Sequence, residues 1–248
     1  MRRKLNFKRI ALALGISGIV VWGASIPFTK ILYKNHIKND ENISISADAE
    51  ENKEEEKIVN YVGTNEEGKK YTYDAKKVAE KLSKYDYSNN GEKIVFLTFD
   101  DGTSTTNTPK VLDILKEEDV KATFFLTGQN IEYGGEASRE LIKREFEEGH
   151  AIANHTYSHD CKKLYPNRSL DLEAFKADLD KNDELLTDVL GKYFSTRVIR
   201  CPGGHGSWKN MEPLDNYLEE KNMVSIDWNA LNADAEGKRK NARELTEY

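Results

Sequence analysis

Ile94-Val95-Phe96-Leu97-Thr98-Phe99-Asp100-Asp101-Gly102 is an apolar run that ends abruptly in two carboxylates and a glycine. Its length and its β-branched and aromatic content predict a buried strand over residues 94–99, with a turn over 100–102. Adjacent carboxylates raise each other's pKa, a cost that a divalent cation removes. Working outward from this stretch, short apolar runs alternate with helical patterns to the end of the chain. Helices are predicted at about 108–118, 137–148, 170–190 and 212–221, with a last one from about residue 236. Strands are predicted at 122–127, 150–154, 197–201 and 223–227. Pro109 suits a first helical turn, and Gly149 and Gly191 suit helix stops. Such alternation argues for an α/β fold, a parallel barrel with helices outside. Before it, residues 58–92 read as a short β/α lead-in: a strand at 58–62, then a helix at 74–84 capped by Asp74 and broken by Asn89-Asn90-Gly91.

The residues suited to chemistry all fall at or just past the C-terminal ends of predicted strands, the face where parallel barrels keep their sites. His155-Thr156-Tyr157-Ser158-His159 places two imidazoles at i and i+4. That is zincin peptidase spacing, but the glutamate that should follow the first His as base is missing, so a peptidase is excluded. Two His and one Asp make a three-ligand metal set with open positions, and the other Asp is left beside it to serve as a base. His150 reads as strand packing, His205 as a loop residue near the site, and His36 as juxtamembrane surface.

Composition narrows the class. Charged residues are 32% and hydrophobic ones 38% of the 248, and the formal net charge of −6 leaves no basic stripe for nucleic acid. Residues 1–9 carry five bases and no acid, whereas residues 40–57 carry eight acids against two bases. Residues 10–29 hold no charge. Twenty residues at ~1.5 Å each span the ~30 Å hydrocarbon core of a bilayer. These features predict a cytoplasmic basic tail (1–9), a single transmembrane helix (10–29), an acidic flexible tether (30–57) and an extracellular C-terminal part. Secretion after signal cleavage near Ala24 is the competing expectation. Cys161 and Cys201 are too few for a disulfide framework and read as two separate small side chains.

Thr98-Phe99-Asp100-Asp101-Gly102 and His155-Thr156-Tyr157-Ser158-His159 resemble the first two motifs of the polysaccharide deacetylases, the NodB-homology enzymes of carbohydrate esterase family 4. Arg200-Cys201-Pro202-Gly203-Gly204 is similar to the third motif and Asp227-Trp228 to the fourth. The resemblance covers residues 93–248 and implies a distorted (β/α) barrel of the NodB type. It implies Asp100 as the base, and Asp101, His155 and His159 as ligands of a divalent metal, zinc foremost. Arg200 would orient the base, and Asp227 would tune a catalytic His. Pro202 and Gly203 would line the substrate, and Trp228 reads either as a core residue or as a wall packing on the sugar or acetyl group. With the anchor and tether, the chain looks like the Gram-positive peptidoglycan N-acetylglucosamine deacetylases, with N-acetylated polysaccharide as partner and no obligate protein partner.

One departure bears on activity. The family's fifth motif, an apolar strand ending in Leu-x-His that supplies the acid for the leaving amine, does not follow Asp227, and the last predicted helix has no stop signal. The expectation is therefore a barrel lacking its last strand or strands. Two alternatives accompany it: an inactive metal- and glycan-binding remnant, and an esterase of O-acetyl groups of the xylan type.

Overall fold

A computed structural model gives the structure, which describes residues 60–247. The basic tail, the anchor, the tether, His36 and the start of the predicted 58–62 strand lie outside the described residues. Among the described residues no helix is long and apolar enough to cross a membrane.

In chain order the elements are β1 (Tyr61–Val62), α1 (Glu66–Lys69), α2 (Ala75–Ser83), β2 (Thr98–Gly102), α3 (Thr108–Glu117), β3 (Thr123–Leu126), α4 (Gly128–Glu147) and β4 (Ala151–Asn154). Then follow α5 (Cys161–Leu164), α6 (Leu172–Leu190), β5 (Phe194–Ser195), β6 (Val198–Ile199), α7 (Glu212–Glu220), β7 (Val224–Ser225) and α8 (Ala242–Thr246). Five strands form one parallel sheet in the order β2-β3-β4-β6-β7, and β1 pairs with β5 in a small parallel ribbon. The α/β class and the parallel sheet are as expected. Among the described residues the sheet is open, with β2 and β7 at its edges.

Both faces of the sheet are covered, which is why its central strands read as unbroken apolar runs. Alternation along each strand divides the side chains. Phe124, Leu126 and Ile152 point to one face, where they pack with Leu112 and Leu115 of α3, Ile131 and Ile142 of α4 and Leu186 of α6. Each of these fully buried aliphatic or aromatic side chains contributes about 1.5–3 kcal/mol. Phe125, Ala153, Val198 and Ile226 point to the other face, where Ala75 and Val78 of α2 fill the hollow. Asp74 caps α2 by accepting from the Lys77 N–H.

The sheet curls. β2 and β6 are three steps apart in strand order, ~14 Å in a flat sheet at the usual strand spacing. Yet Arg200, just past β6, bonds Thr98 and Asp100 of β2. That curl brings the sheet's C-terminal rim together.

Several boundaries differ from the reading of the sequence. The strand predicted over 94–99 is regular only from Thr98, after a lone bridge at Ile94, and extends through Gly102, and its apolar residues are half-buried at best because β2 is an edge. The helix expected at 137–148 is the second piece of α4, beyond a break at Gly135 (φ 58°, ψ −140°), whereas the first piece, from Gly128, was not anticipated. The last helix starts at Ala242 rather than near Glu236, because Asn241 and Glu244 form a reciprocal capping box there. Cys161 and Cys201 are both free thiols, as expected.

Candidate metal centre

The turn predicted at Asp100-Asp101-Gly102 is a bulged strand. Asp100 registers with Phe125 and Gly102 with Leu126, so Asp101 is an extra residue on β2, in the left-handed region at φ 62°. In a regular strand, adjacent carboxylates would point to opposite faces. The bulge cancels that alternation and turns both toward the rim. The Asp101 carbonyl is held by Asn130 Nδ2 at 2.7 Å.

His155 follows β4 directly. Its Nδ1 lies 2.7 Å from the Arg200 carbonyl, an oxygen that can only accept, so Nδ1 carries the proton and Nε2 is bare. Burial lowers the pKa of His155, which favours the neutral ring that a metal needs. Its Nε2 faces Asp101 Oδ1 at 3.5 Å, and His159 Nε2 stands 3.5 Å from the same oxygen. The ligand atoms of Asp101, His155 and His159 all lie within 4.8 Å of one another. A bare imidazole nitrogen aimed at a carboxylate oxygen is repulsive unless a cation lies between them. Two nitrogens and one oxygen on an open rim, with the Asp101 side chain 61% exposed, suit zinc or a similar divalent ion. The donor set fits the implied metal.

Beside it, Asp100 Oδ1 is 2.5 Å from Arg200 Nη1, and Asp100 Oδ2 is 4.0 Å from His155 Nε2. Arg200 is 1% exposed, which rules out a surface ion pair. Its Nη1 also reaches Thr98 Oγ1 at 3.0 Å, its Nε donates to the Ile226 carbonyl at 2.9 Å, and its guanidinium lies over Phe125 at 4.0 Å. Burial pulls the Arg200 pKa below its ordinary value. The ion pair with Asp100 and the donor contacts to the Ile226 carbonyl and Thr98 are what make its burial tolerable.

The remaining expected residues sit around this pair. The Asp227 carboxylate accepts from the N–H groups of His205 (3.0 Å) and Gly206 (3.3 Å), so it anchors the 203–207 loop. Its backbone carbonyl lies 3.5 Å from Arg200 Nη2. Trp228 is 40% exposed, which excludes a core role and leaves it as a wall above Arg200, 5.6 Å from the guanidinium. Pro202, expected against substrate, is buried, and its carbonyl accepts from Trp208 Nε1 at 2.8 Å; packing accounts for it. Gly203 is exposed at φ 76°, where an added Cβ would come within 3.0 Å of Trp208. His205 pairs with Asp215 of α7 at 2.8 Å and not with the three ligands.

Reading the sequence missed the residues behind the ligands. Asn130, Asn154, Asp178, Asn182 and Asp183 all bond the bulge or the 155–159 loop, or bond a residue that does. A signal existed: Asp178 and Asn182 interrupt the apolar stripe of Phe175, Leu179 and Leu186 on α6. Burial pushes the Asp178 carboxyl up, but hydrogen bonds from Lys163 and Ser158 outweigh it and hold the pKa below the ordinary value. Burial raises Asp183 to about 6.

The polysaccharide deacetylase family profile matches residues 87–217, just over half of the chain, and spans the bulge, both imidazoles and Arg200. The chain belongs to the polysaccharide deacetylase family. Within that family it is 36% identical over 163 residues to a peptidoglycan-N-acetylglucosamine deacetylase of Bacillus cereus, covering 63% of this chain and 52% of that one. It is 42% identical over 161 residues to the peptidoglycan-N-acetylmuramic acid deacetylase PdaA of Bacillus subtilis, covering 62% and 56%. Among solved structures, a CE4 esterase of Streptococcus mutans superposes with a TM-score of 0.66 at 35% identity, covering 74% of each chain. The chain spans about half the length of these two curated relatives.

Proposed function

We propose that this family member removes N-acetyl groups from cell-wall polysaccharide, with N-acetylglucosamine of peptidoglycan as the first substrate to test. One observation carries the reading. Asp101, His155 and His159 gather their ligand atoms within 4.8 Å, and Asp100, a second carboxylate gripped by a buried arginine, stands beside them. The relatives' names support the substrate class, and they name both sugars of the peptidoglycan repeat.

Asp101, His155 and His159 would hold the cation. When bound, it supplies Lewis acidity, polarising an amide carbonyl and acidifying water. Asp100 is the group that takes a proton from the attacking water. Arg200 orients that carboxylate through Nη1 by a charge-assisted bond. Trp228 forms a wall for the sugar, and it also lines a groove of about 730 Å³ that continues past Asp227, Tyr85 and Tyr87. Proton delivery to the leaving amine needs a further acid. The other described histidines, His150 and His205, are engaged elsewhere.

The uncharged residues 10–29 behind five bases support a single-pass anchor that holds this domain outside the cell. The test is acetate release from N-acetylglucosamine oligomers and from intact peptidoglycan, before and after chelation and zinc repletion. Release that survives both chelation and Asp100→Asn would overturn the reading.

A further inference from the structure

The metal loop has a shape it cannot keep by itself. Thr156 (φ 65°) and His159 (φ 51°) are both in the left-handed region, which is strained for a residue with a Cβ. Residues 155–159 donate all five backbone N–H groups, and only one bond belongs to the sheet: His155 N to the Leu126 carbonyl at 3.0 Å. Thr156 N goes to Asn154 Oδ1 at 2.8 Å and His159 N to Thr156 Oγ1 at 3.2 Å. Tyr157 N goes to the Asp178 carbonyl at 3.1 Å, and Ser158 N to Asp178 Oδ2 at 2.8 Å.

Behind these bonds stands α6. Asn182, fully buried, donates from Nδ2 both to Asn154 Oδ1 at 2.9 Å and to the Leu126 carbonyl at 2.8 Å. It therefore grips the acceptor of Thr156 N and the acceptor of His155 N with one amide. Asn154 in turn donates to the Leu179 carbonyl (3.0 Å) and to Asp183 Oδ1 (2.6 Å). Asp178 also accepts from Ser158 Oγ (2.9 Å) and from Lys163 Nζ (2.8 Å). Alternation explains the route: Asn154 points outward to α6, so His155, the next residue, points inward to Asp101.

We propose that Asn182 and Asp178 of α6 are positioning residues for the metal centre, fixing the relative placement of His155 and His159 through Asn154 and the loop N–H groups. This rests on the metal-centre reading above. The two side chains touch no ligand atom. They set the angle at which the two imidazoles meet Asp101, as groups behind metal ligands do.

Cobalt(II) is the probe, because its visible absorption reports ligand geometry without turnover. Asn182→Ala and Asp178→Ala are expected to weaken Co²⁺ binding about 10–100-fold and to change the bound-state spectrum. Leu186→Ala, a cavity in the same helix with no bond to the loop, should lower the urea midpoint and leave Co²⁺ affinity and spectrum as in the wild type. Asp178→Asn keeps an acceptor for Ser158 and should recover affinity to within a few-fold. If Asn182→Ala does not fold, the Asp178 pair decides: equal affinities and spectra for Asp178→Ala, Asp178→Asn and the wild type overturn the proposal. An unchanged spectrum and affinity in folded Asn182→Ala overturn it too. A wild-type chain that takes up no Co²⁺ would instead sink the metal-centre reading itself.

Discussion

His150 and His155 flank the two ends of β4, five residues apart, and both are buried. At His150 the ring Nδ1 accepts the Ala122 N–H at 3.2 Å, so the proton sits on Nε2, which has no hydrogen-bond partner among the described residues. At His155 the ring Nδ1 donates to the Arg200 carbonyl, so Nε2 is bare and faces Asp101. Residue type and burial are the same. A backbone donor opposite one ring and a backbone acceptor opposite the other reverse the tautomer, and with it the capacity to bind a metal. A histidine's role is set by what its second nitrogen meets.

The largest expected effect tests that contrast directly. His155→Gln and Asp101→Asn should abolish metal binding in a zinc titration, a loss beyond ~100-fold, whereas His150→Gln should leave metal affinity at the wild-type level. Equal losses at both histidines would break the comparison. Next, Asp100→Asn should keep the metal within a few-fold and cut acetate release about 10²–10⁴-fold. Loss of metal in that variant would contradict the division of labour between the two carboxylates.

The pH dependence of stability sharpens the comparison further. Burial, with help from the Lys121 and Arg144 charges, lowers His150 from 6.5 to about 3. Below pH 6.5 the unfolded chain therefore binds a proton that the folded chain refuses, and stability falls as pH drops toward 3. His150→Gln should remove a few kcal/mol of that acid-side slope, read as urea midpoints at pH 7 and pH 4.5. At the other end of β4 the sign is opposite. Asp183 is raised from 3.8 to about 6, so the folded chain holds the extra proton and stability is lost as pH rises through that window. Asp183→Asn, which keeps an oxygen for Asn154, should stabilise the protein at pH 7 by about 1–3 kcal/mol and by nothing at pH 3. A variant no more stable than the wild type at pH 7 would show that the Asn154 bond already offsets the burial cost.

Much of the frame was legible in advance. The α3, β3, β4, α6 and α7 segments fall within a few residues of their expected ranges, because apolar period, proline at a first turn and glycine past a last turn are local signals. The segments that slipped are those where a tertiary partner overrode the local pattern. β2 is an edge that becomes a regular strand late and carries a bulge, α4 gains an unanticipated first piece before Gly135, and α8 waits for its capping box. The site followed the same division. Asp100, Asp101, His155 and His159 were identifiable from type and spacing and Arg200 through the family motif it resembles, whereas Asn154, Asp178 and Asn182 are ordinary polar residues until α6 is laid against β4.

By itself, the order of residues determined the donor chemistry and its address: carboxylates and imidazoles just past apolar strands, in an α/β chain. Tertiary structure alone decided that both carboxylates face one side, which imidazole nitrogen is bare, and that Arg200 reaches Asp100 one hundred residues away. The reason is physical. Periodicity and capping are properties of neighbouring residues, whereas a bulge's register, a tautomer and a buried ion pair depend on groups that meet only when the sheet curls.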